Sequence, residues 1–442
     1  MSYQGRLQQL NQAFTGGRGQ TVRLKKRTTS NLFRYQGRQS PAERRISLSE
    51  FNHVLDLREE SQTLEVEGLA TFGQIVAATL PRGFVPTVTP ELRHITVGGA
   101  TVGIGIESSC HRHGFVHDGL VEADVLLADG RVVTCTPENA HADLFHALPN
   151  SYGTLGYILR AVIRLVPARP YVHIRHQRFH AVRDYLEAME EAVRQGADDF
   201  IEGLVFGRDE LYLTRANFTD QATELGDIYR EIYYQNVRRK KTMVLPTQQY
   251  LFRYDPDWFW NIPDTGVYRL FRRLAPRQMR SSAFYNRFTA LRSKARELLR
   301  INPDMRTEKL IQDWEVPWDA AEALLNFALD RVDLAGQPWA AVPIVPRGRA
   351  TLYPLQQDAL YFNLGSYCLI PRAKGKEADY HTRIMDDECM RLGGIKMLYS
   401  SSFFDRATFS RVYNGTAYDA LKAKYDPDAV FPTLFEKATG LR

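Results

Sequence analysis

The sequence of 442 residues lacks several features that would each place it in a class. It has no run of about 18 apolar residues, so we expect no membrane span. Its four cysteines show no C-x-x-C pairing, which argues against a disulfide framework and a structural zinc site. The first residues, Met1 to Arg6, contain no apolar stretch, so we expect no secretory signal. These absences favour a cytoplasmic protein in a reducing compartment.

Acidic residues are scarce in two parts of the chain. Residues 1–50 contain ten basic residues against Glu43 and Glu50 alone. A second basic region runs from Arg238 through Arg280 to Arg300, and aromatic residues are interleaved within it. Basic residues with Trp and Phe suit the surface of an anionic membrane, with which the protein would associate peripherally. A solvated basic face is the alternative. We expect no nucleic-acid binding, because no recognition motif accompanies the charge.

The most informative segment is Thr96–Ser108, which contains four glycines. Glycine permits positive φ and close backbone approach, so consecutive amides can form a nest that holds a pyrophosphate. The segment is not a P-loop, which needs Gly-Lys-Ser/Thr at the start of a helix. It also lacks the third glycine of a dinucleotide fingerprint. A β-hairpin follows over Ala123–Thr134, with its turn at Asp129-Gly130.

The rest of the chain indicates an α+β protein. Residues from about 20 to 85 form one small unit, in which Thr71 caps a helix from Phe72 to about Leu80. The glycine segment and its hairpin belong to a second, strand-rich unit. After Pro167 and Pro170 the pattern changes to alternating helices and strands.

An ordered set of motifs carries a resemblance to a known family. These motifs are Thr96-Val-Gly-Gly, Gly103-Ile-Gly-Ile-Glu-Ser-Ser, Val125-Leu-Leu-Ala-Asp-Gly, Cys135-Thr-Pro-Glu-Asn and Gly153-Thr-Leu-Gly. They resemble the FAD domain of the vanillyl-alcohol-oxidase-type flavoproteins and, within that superfamily, the Δ24-sterol reductase group. The resemblance extends more weakly through Ile311–Pro317, Leu364–Tyr367 and Lys396–Tyr399.

The resemblance implies a two-subdomain FAD-binding domain of the PCMH type and a mixed α/β cap domain. We place the FAD-binding domain at 1–170, the cap or substrate domain at 171–402, and a segment returning to the FAD domain at 403–442. The FAD should be bound non-covalently, because the first loop has no histidine and no cysteine precedes the second. NADPH is one candidate donor of electrons to the flavin.

The resemblance also assigns cofactor contacts. The implied cofactor-binding residues are Thr28, Thr29, Ser30, Asn31, Thr96, Val97, Gly98, Gly99, Ala100, Gly103, Gly105, Ser108, Gly153, Gly156 and Ile158. Residues 28–31 have an ordinary surface loop as their alternative, and the segment from Gly153 to Ile158 has a buried strand.

Three residues are candidates for catalysis. Tyr367 and Tyr399 match positions near the flavin in the resemblance, and a tyrosine held near the substrate can deliver a proton to carbon. Both have a core tyrosine as the alternative. Glu107 is the third candidate, with pairing to a loop amide as its alternative. The histidines at 111, 113 and 117 lack ligand spacing, so we expect no metal site.

The resemblance predicts an FAD-dependent oxidoreductase that acts on a carbon–carbon double bond of a lipid, either sterol-like or a branched or methylene acyl chain. An alcohol or sugar-lipid oxidase of the same fold is the alternative. Sugar-oxidising relatives carry a lysine after the last strand, where this chain has Ser400–Ser402. A basic binding protein that keeps FAD only as a structural element is a third hypothesis.

Overall fold

The structure is a computed structural model. It describes residues 2–14, 22–25, 44–260, 266–267, 270, 274–285, 287–288, 291, 307–377 and 379–440. The principal α-helices of these ranges are α1 (Tyr3–Phe14), α2 (Phe72–Thr79), α3 (Val97–Val102), α4 (Cys110–His113), α5 (Ala142–Ala147), α6 (Val182–Gln195), α7 (Tyr233–Arg239), α8 (Thr247–Leu251), α9 (Ala321–Arg331), α10 (Tyr380–Arg391), α11 (Arg406–Val412), α12 (Gly415–Tyr425) and α13 (Leu434–Thr439).

The N-terminal part of the chain is built on a six-stranded antiparallel sheet. Its strands are β3 (Val54–Arg58), β4 (Thr63–Glu67), β5 (Phe84–Pro86), β6 (Leu120–Leu126), β7 (Val132–Cys135) and β8 (Tyr157–Pro167). Their order is β3-β4-β8-β6-β7, with β5 paired to β8. Alternation along β4 buries Leu64 and Val66. Strands β1 (Val22–Lys25) and β2 (Arg44–Ser47) pair separately and in parallel.

Local signals predicted the helix beside this sheet correctly. The Thr71 side chain accepts a hydrogen bond from the Gln74 amide, and the Gln74 side chain accepts one from the Thr71 amide. This reciprocal capping box starts α2 at Phe72. The predicted helix start at Thr71 is therefore confirmed.

The middle of the chain forms an eight-stranded antiparallel sheet. Its strands are β9 (Tyr171–Phe179), β10 (Phe200–Gly207), β11 (Glu210–Thr219), β12 (Thr242–Pro246), β13 (Thr307–Pro317), β14 (Trp339–Ile344), β15 (Tyr361–Pro371) and β16 (Ile395–Lys396). Their order is β12-β9-β11-β10-β14-β15-β13-β16. Together with the first sheet and the helices, this confirms the α+β class.

The register of the eight-stranded sheet brings polar residues to one face. Asp313 pairs with Gly365, and Glu315 pairs with Asn363, so these residues share a face with Tyr367, two positions after Gly365. We call this the polar face. All of these side chains are buried, so the polar face is covered by other parts of the molecule.

Backbone hydrogen bonds join the eight-stranded sheet and the residue after β14 to the segment around α4. The amide of Ile201, in β10, donates to the carbonyl of Ser108 at 2.9 Å, and the amide of Val345 donates to the carbonyl of Cys110 at 3.2 Å. The C-terminal helices also reach the first sheet. Lys422 Nζ, in α12, donates to the carbonyl of Thr154 at 2.9 Å. The exact domain limits at 170 and 402 stay a prediction.

Within the ranges that the structure describes, no helix combines the length and the apolar character that a membrane span requires.

Candidate active site

The glycine segment forms a short helix instead of an open nest. Helix α3 begins after Thr96, whose side chain accepts a hydrogen bond from the Gly99 amide at 3.2 Å. The amides of Val97 and Gly98 donate to the carbonyls of Ala70 and Gly68 at 3.0 and 2.9 Å. Three amides at the start of the segment are therefore used by the protein itself.

The glycines of this segment do not use the positive φ that glycine permits. None of the four glycines between 98 and 105, all described in the structure, has a positive φ, whereas Ile104 does, at 56°. The amides of Gly103 and Gly105 both donate to the Ala100 carbonyl, at 3.3 and 2.9 Å. This is the bond pattern of a helix C-cap with a left-handed residue after the helix. The nest therefore holds the helix's own carbonyl.

These glycines are required for close packing. A Cβ at position 98 would lie 2.8 Å from the Gly68 carbonyl oxygen, and one at position 105 would lie 2.7 Å from Val116 Cγ2. Real Cβ atoms do not approach other atoms this closely. The glycines let α3 lie directly against β4 and the turn after it.

The turn that contains Gly153 contacts the glycine segment. Tyr152 has a φ of 50° and Gly153 a φ of 75°. The Tyr152 amide donates to the Val102 carbonyl at 3.1 Å, and its hydroxyl donates to the Gly103 carbonyl at 3.2 Å. This turn therefore lies against the end of α3. Ile158 lies in β8 and is buried, in agreement with the buried-strand alternative.

Two polar atoms beside α3 fit the presence of a cofactor. Thr89 Oγ1 and Asn150 Oδ1 are buried and have no hydrogen-bond partner in the described part of the chain. Thr89 precedes α3 in sequence, and Asn150 begins the turn that contacts its end. Buried polar atoms are normally satisfied, so a ligand with polar edges, such as FAD, suits this position. Residues 28–31, assigned to the first phosphate loop, lie outside the described residues.

Glu107 and Ser108 belong to a buried ionic cluster. Arg253 Nη2 lies 2.6 Å from Glu107 Oε1, 2.6 Å from Glu202 Oε2 and 3.1 Å from Glu91 Oε1. Glu107 also accepts a hydrogen bond from the Ser108 amide at 2.7 Å. Glu107 is therefore an ion-pair partner of Arg253.

The electrostatics of this cluster leave a proton on one carboxyl group. Burial raises the pKa of Glu91 well above its usual range, and the charges of Glu107 and Glu202 raise it further. Among the described residues, these three glutamates are the group whose oxygens have the spacing of a metal site. The guanidinium of Arg253 lies among them and supplies the positive charge.

Tyr367 and Tyr399 meet at a residue that the sequence did not single out. Both hydroxyls donate to Asp313 Oδ2, each at 2.7 Å. Asn363 Nδ2 donates to the other oxygen, Asp313 Oδ1, at 3.0 Å. The carboxylate is 1% exposed, so the two phenols share one buried acceptor.

Burial sets the charge state of this group. It raises the pKa of Asp313, and the three hydrogen bonds offset only part of that effect. Burial and then the charge of Asp313 raise the pKa of Tyr367 and Tyr399 well above the usual phenol range. Both phenols therefore carry their protons at neutral pH, and Tyr399, the less buried of the two, is half-buried.

Aromatic rings cover one side of the tyrosine pair. The ring of Phe259 stacks on Tyr367 with centroids 4.2 Å apart, and Trp260 contacts the same ring edge-on at 5.8 Å. The site thus combines a hydroxyl pair with an apolar wall.

Other polar residues that the sequence drew attention to have structural partners. His111 lies between the carbonyls of Ser108 and Asp198, at 3.0 and 3.1 Å, and burial lowers its pKa. Lys396, on the last strand, is fully buried and lies 2.5 Å from Asp386 Oδ2. Its amine is therefore held in an ion pair.

Comparison with known proteins assigns the cofactor. The family described as FAD binding domain matches residues 31–136, which include α3 and the first hairpin. The Delta(24)-sterol reductase of Homo sapiens is 28% identical over 406 residues, which cover 87% of this chain and 75% of that protein. Residues 31–136 thus match an FAD binding domain, and the chain is an FAD-dependent oxidoreductase.

Two further relatives of this flavoprotein extend the similarity across kingdoms. The Delta(24)-sterol reductase of Arabidopsis thaliana is 26% identical over 444 residues, covering 89% of this chain and 76% of the relative. The Delta(24)-sterol reductase homolog of Caenorhabditis elegans is 24% identical over 421 residues, covering 89% and 78%. The resemblance inferred from the motifs is confirmed.

Sequence reasoning missed Asp313 and Arg253. The motif Ile311–Pro317 contained a usable signal, since Asp313 and Glu315 are acidic residues in a strand whose neighbours are apolar. A buried strand that carries acidic residues at alternate positions needs partners for them. Arg253 offered no comparable signal, because its three glutamate partners are distant in sequence.

Proposed function

We propose that this flavoprotein reduces a carbon–carbon double bond in a lipid, either sterol-like or a branched or methylene acyl chain. The observation that carries the proposal is the pair of protonated phenols on Asp313 Oδ2. Bound FAD would supply the hydride for one carbon of the double bond. The protein must then supply a proton to the other carbon, and a positioned tyrosine can do so.

The two phenols differ in how far they are buried. Tyr399 is the less buried of the pair, whereas Tyr367 is stacked under Phe259. Because both hydroxyls bind one carboxylate oxygen, a phenol that has given up its proton can receive the proton of the other phenol through Asp313 Oδ2, and water must then return one proton to the pair. Asp313 acts as a positioning residue, and its raised pKa lets it take part in returning the proton.

The aromatic wall fits an apolar substrate. Phe259 and Trp260 pack against the ring of Tyr367, so the surroundings of the phenol pair are apolar. The similarity to reductases named for a sterol supports this substrate class. We take NADPH as the first electron donor to test.

The alternative, oxidation of an alcohol, is less well supported. Relatives that oxidise sugars carry a lysine after the last strand, where this chain has Ser400 to Ser402. The nearby Lys396 is neutralised by Asp386. The alternative therefore lacks a free cation for an alkoxide at this place in the described chain.

The test separates the two flavin reactions. The FAD-loaded protein is mixed with NADPH without oxygen, and then with a detergent-dispersed sterol that has a side-chain double bond. We expect NADPH to bleach the flavin and the sterol to restore its colour. Mass spectrometry should then show that the sterol has gained two hydrogen atoms. A methylene-branched acyl lipid is tested in parallel.

The Tyr367→Phe variant tests the role of the phenol separately from reduction of the flavin. It should be bleached by NADPH at the wild-type rate but be reoxidised slowly by the lipid. A protein that is bleached only by an alcohol would contradict the proposal and support the oxidase.

A further inference from the structure

Exposed apolar side chains are concentrated in one segment. Seven large hydrophobic residues are exposed in the described chain, and five of them lie between 266 and 291. These are Val267 (82% exposed), Leu270 (58%), Leu274 (76%), Phe288 (60%) and Leu291 (67%). We call the described residues between 266 and 291 the apolar segment. Such a concentration marks an interaction surface.

The first three of these residues share one side. Val267, Leu270 and Leu274 are helical, and their spacing of three and four residues places them on the same helix face. Exposed branched aliphatic side chains at this spacing would be stabilised by contact with an apolar phase.

The apolar segment lies between two active-site elements in the sequence. Trp260, which contacts Tyr367, precedes it, and β13, which carries Asp313, begins at Thr307 after it. Leu369 is two positions beyond Tyr367 on the same face of β15 and is 58% exposed. The side chains around the tyrosines therefore continue outward to an exposed apolar edge.

Side-chain contacts attach the apolar segment to other parts of the chain. Ser282 Oγ donates to Asp255 Oδ1 at 2.6 Å, and the same oxygen accepts the Arg93 amide at 3.2 Å. The guanidinium of Arg277 lies 5.0 Å from the ring centroid of Tyr229. These contacts hold the part of the segment around Arg277 and Ser282 against the rest of the protein.

Charge identifies the partner. Residues 266–300 contain ten basic residues and one acidic residue, Glu297. The side chain of Arg277 is 63% exposed, and Arg287 is exposed as well. Aliphatic side chains flanked by arginines match an anionic lipid surface, which offers both an apolar phase and negative charge. A second copy of the chain would bring two positive surfaces together.

The basic cluster at 238–241 is less suited to this role than the sequence suggested. Arg238 makes two hydrogen bonds to Glu210, at 2.7 and 2.8 Å, and Lys240 lies 2.7 Å from Glu231 Oε2. Half of the charge in that cluster is therefore paired within the protein.

We propose that the apolar segment docks the protein on an anionic bilayer, and that the lipid substrate enters the site from this edge. The proposal rests on the proposed function for its substrate class. Docking itself is independent of turnover, so the two can fail separately.

Co-sedimentation with phosphatidylcholine vesicles, with and without phosphatidylglycerol, tests docking at low and high salt. The test variant is Val267→Gln/Leu270→Gln/Leu274→Gln, and the matched control is Val267→Ile/Leu270→Met/Leu274→Met, which keeps the apolar character. We expect wild type and control to pellet with anionic vesicles, and the partition of the test variant to fall on the order of 100-fold. An Arg239→Gln/Lys241→Gln variant should pellet like the wild type.

Two further readouts make the result decisive. Flavin absorbance and thermal melting report whether each variant is folded, and turnover of a detergent-dispersed lipid should stay close to the wild-type rate in the test variant. Equal pelleting of test and control variants, or no pelleting of wild type, overturns the proposal. A wild-type dimer in light scattering that the test variant loses also overturns it. Vesicle binding without turnover of any lipid leaves docking intact and refutes the proposed function.

Discussion

At Asp313, two phenol hydroxyls converge on a single carboxylate oxygen, and this residue determines how acidic each phenol can be. A negative charge 2.7 Å from a hydroxyl oxygen opposes its ionisation, and burial strengthens the effect. Both phenols are therefore held in their protonated form.

Replacing Tyr367 with Phe should slow lipid-dependent flavin reoxidation by roughly 100- to 10,000-fold, because a positioned proton donor is lost. The flavin spectrum should stay unchanged, since Tyr367 contacts Asp313 and aromatic rings. The matched control is Tyr212→Phe, a buried tyrosine on the same sheet whose hydroxyl binds Glu210. Equal rates for Tyr367→Phe and the control would demote Tyr367 to a core residue.

Replacing Asp313 with Asn should change the pH dependence of the same step. The charge of Asp313 raises the pKa of both phenols, so its removal lets them ionise at lower pH. The alkaline limb of the rate profile should therefore move to lower pH. A slower variant whose profile keeps its position would assign Asp313 a structural role only.

Glu315 should couple folding to pH. Burial, and then the charge of Asp313, raises the pKa of Glu315 well above its usual value. The folded state holds this proton more tightly, so its contribution to stability is full below the unfolded pKa of about 4.3 and is lost as pH rises through the folded pKa. Across that window the free energy of unfolding should fall by about 1.4 kcal/mol per pH unit from this group.

The Glu315→Gln variant cannot ionise, so its unfolding free energy should depend less steeply on pH above about 4.3. Urea unfolding at a series of pH values measures the difference. The exposed Glu190→Gln substitution serves as the control. Parallel curves for wild type and Glu315→Gln would show that the carboxyl group ionises as readily in the folded state.

At the scale of elements, α3 shows how a glycine-rich segment can serve packing. Its N-terminal amides donate to the turn after β4, and its C-terminal amides return to the Ala100 carbonyl. Backbone hydrogen bonds therefore hold the helix at both ends.

Gly98→Ala should lower the free energy of unfolding by about 1–3 kcal/mol, because its Cβ would meet the Gly68 carbonyl and force the backbone apart. Gly99→Ala is the neighbouring control. Gly99 is half-buried and has no positive φ, so alanine should leave stability nearly unchanged. FAD titration separates the two variants further. Gly99 is assigned to the cofactor by resemblance, so Gly99→Ala should weaken FAD binding. Equal stability losses would show that the two glycines have the same role.

At the scale of the whole molecule, Arg253 connects the FAD segment to the eight-stranded sheet. Its guanidinium binds Glu107 beside α4 and Glu202 on β10, and the ring of Tyr250 lies 4.5 Å from it. This residue is fully buried, and Glu91 is a third carboxylate beside it, at 3.1 Å. The ionic cluster is therefore one of the contacts that join the segment before α4 to the eight-stranded sheet.

Arg253→Leu should lower the free energy of unfolding by about 3–5 kcal/mol, since it leaves buried carboxylates without a counter-charge. Adding Glu202→Gln should restore part of that loss. The surface ion pair of Arg347 with Asp358 provides the control, and Arg347→Gln should cost no more than about 1 kcal/mol. Urea unfolding measures all of these variants. A double variant as unstable as Arg253→Leu would show that lost packing, rather than charge, is responsible.

Local sequence determined the elements that depend on interactions between residues close together in the chain. The capping box at Thr71, the alternation in β4 and the turn at Asp129-Gly130 depend on residues a few positions apart, so they could be predicted. The order of the flavin motifs likewise identified the FAD domain. The left-handed φ at Ile104 had no such local signal, since this residue is not a glycine.

Only the tertiary structure decided which polar groups meet. Tyr367 and Tyr399 lie 54 and 86 residues from Asp313, and the pairing of β13 with β15 brings Tyr367 to the same face. A shift of one residue in that register would turn Asp313 to the other side of the sheet. The sequence determined that acids, phenols and glycines were present, whereas long-range strand pairing and burial determined their partners and their protonation.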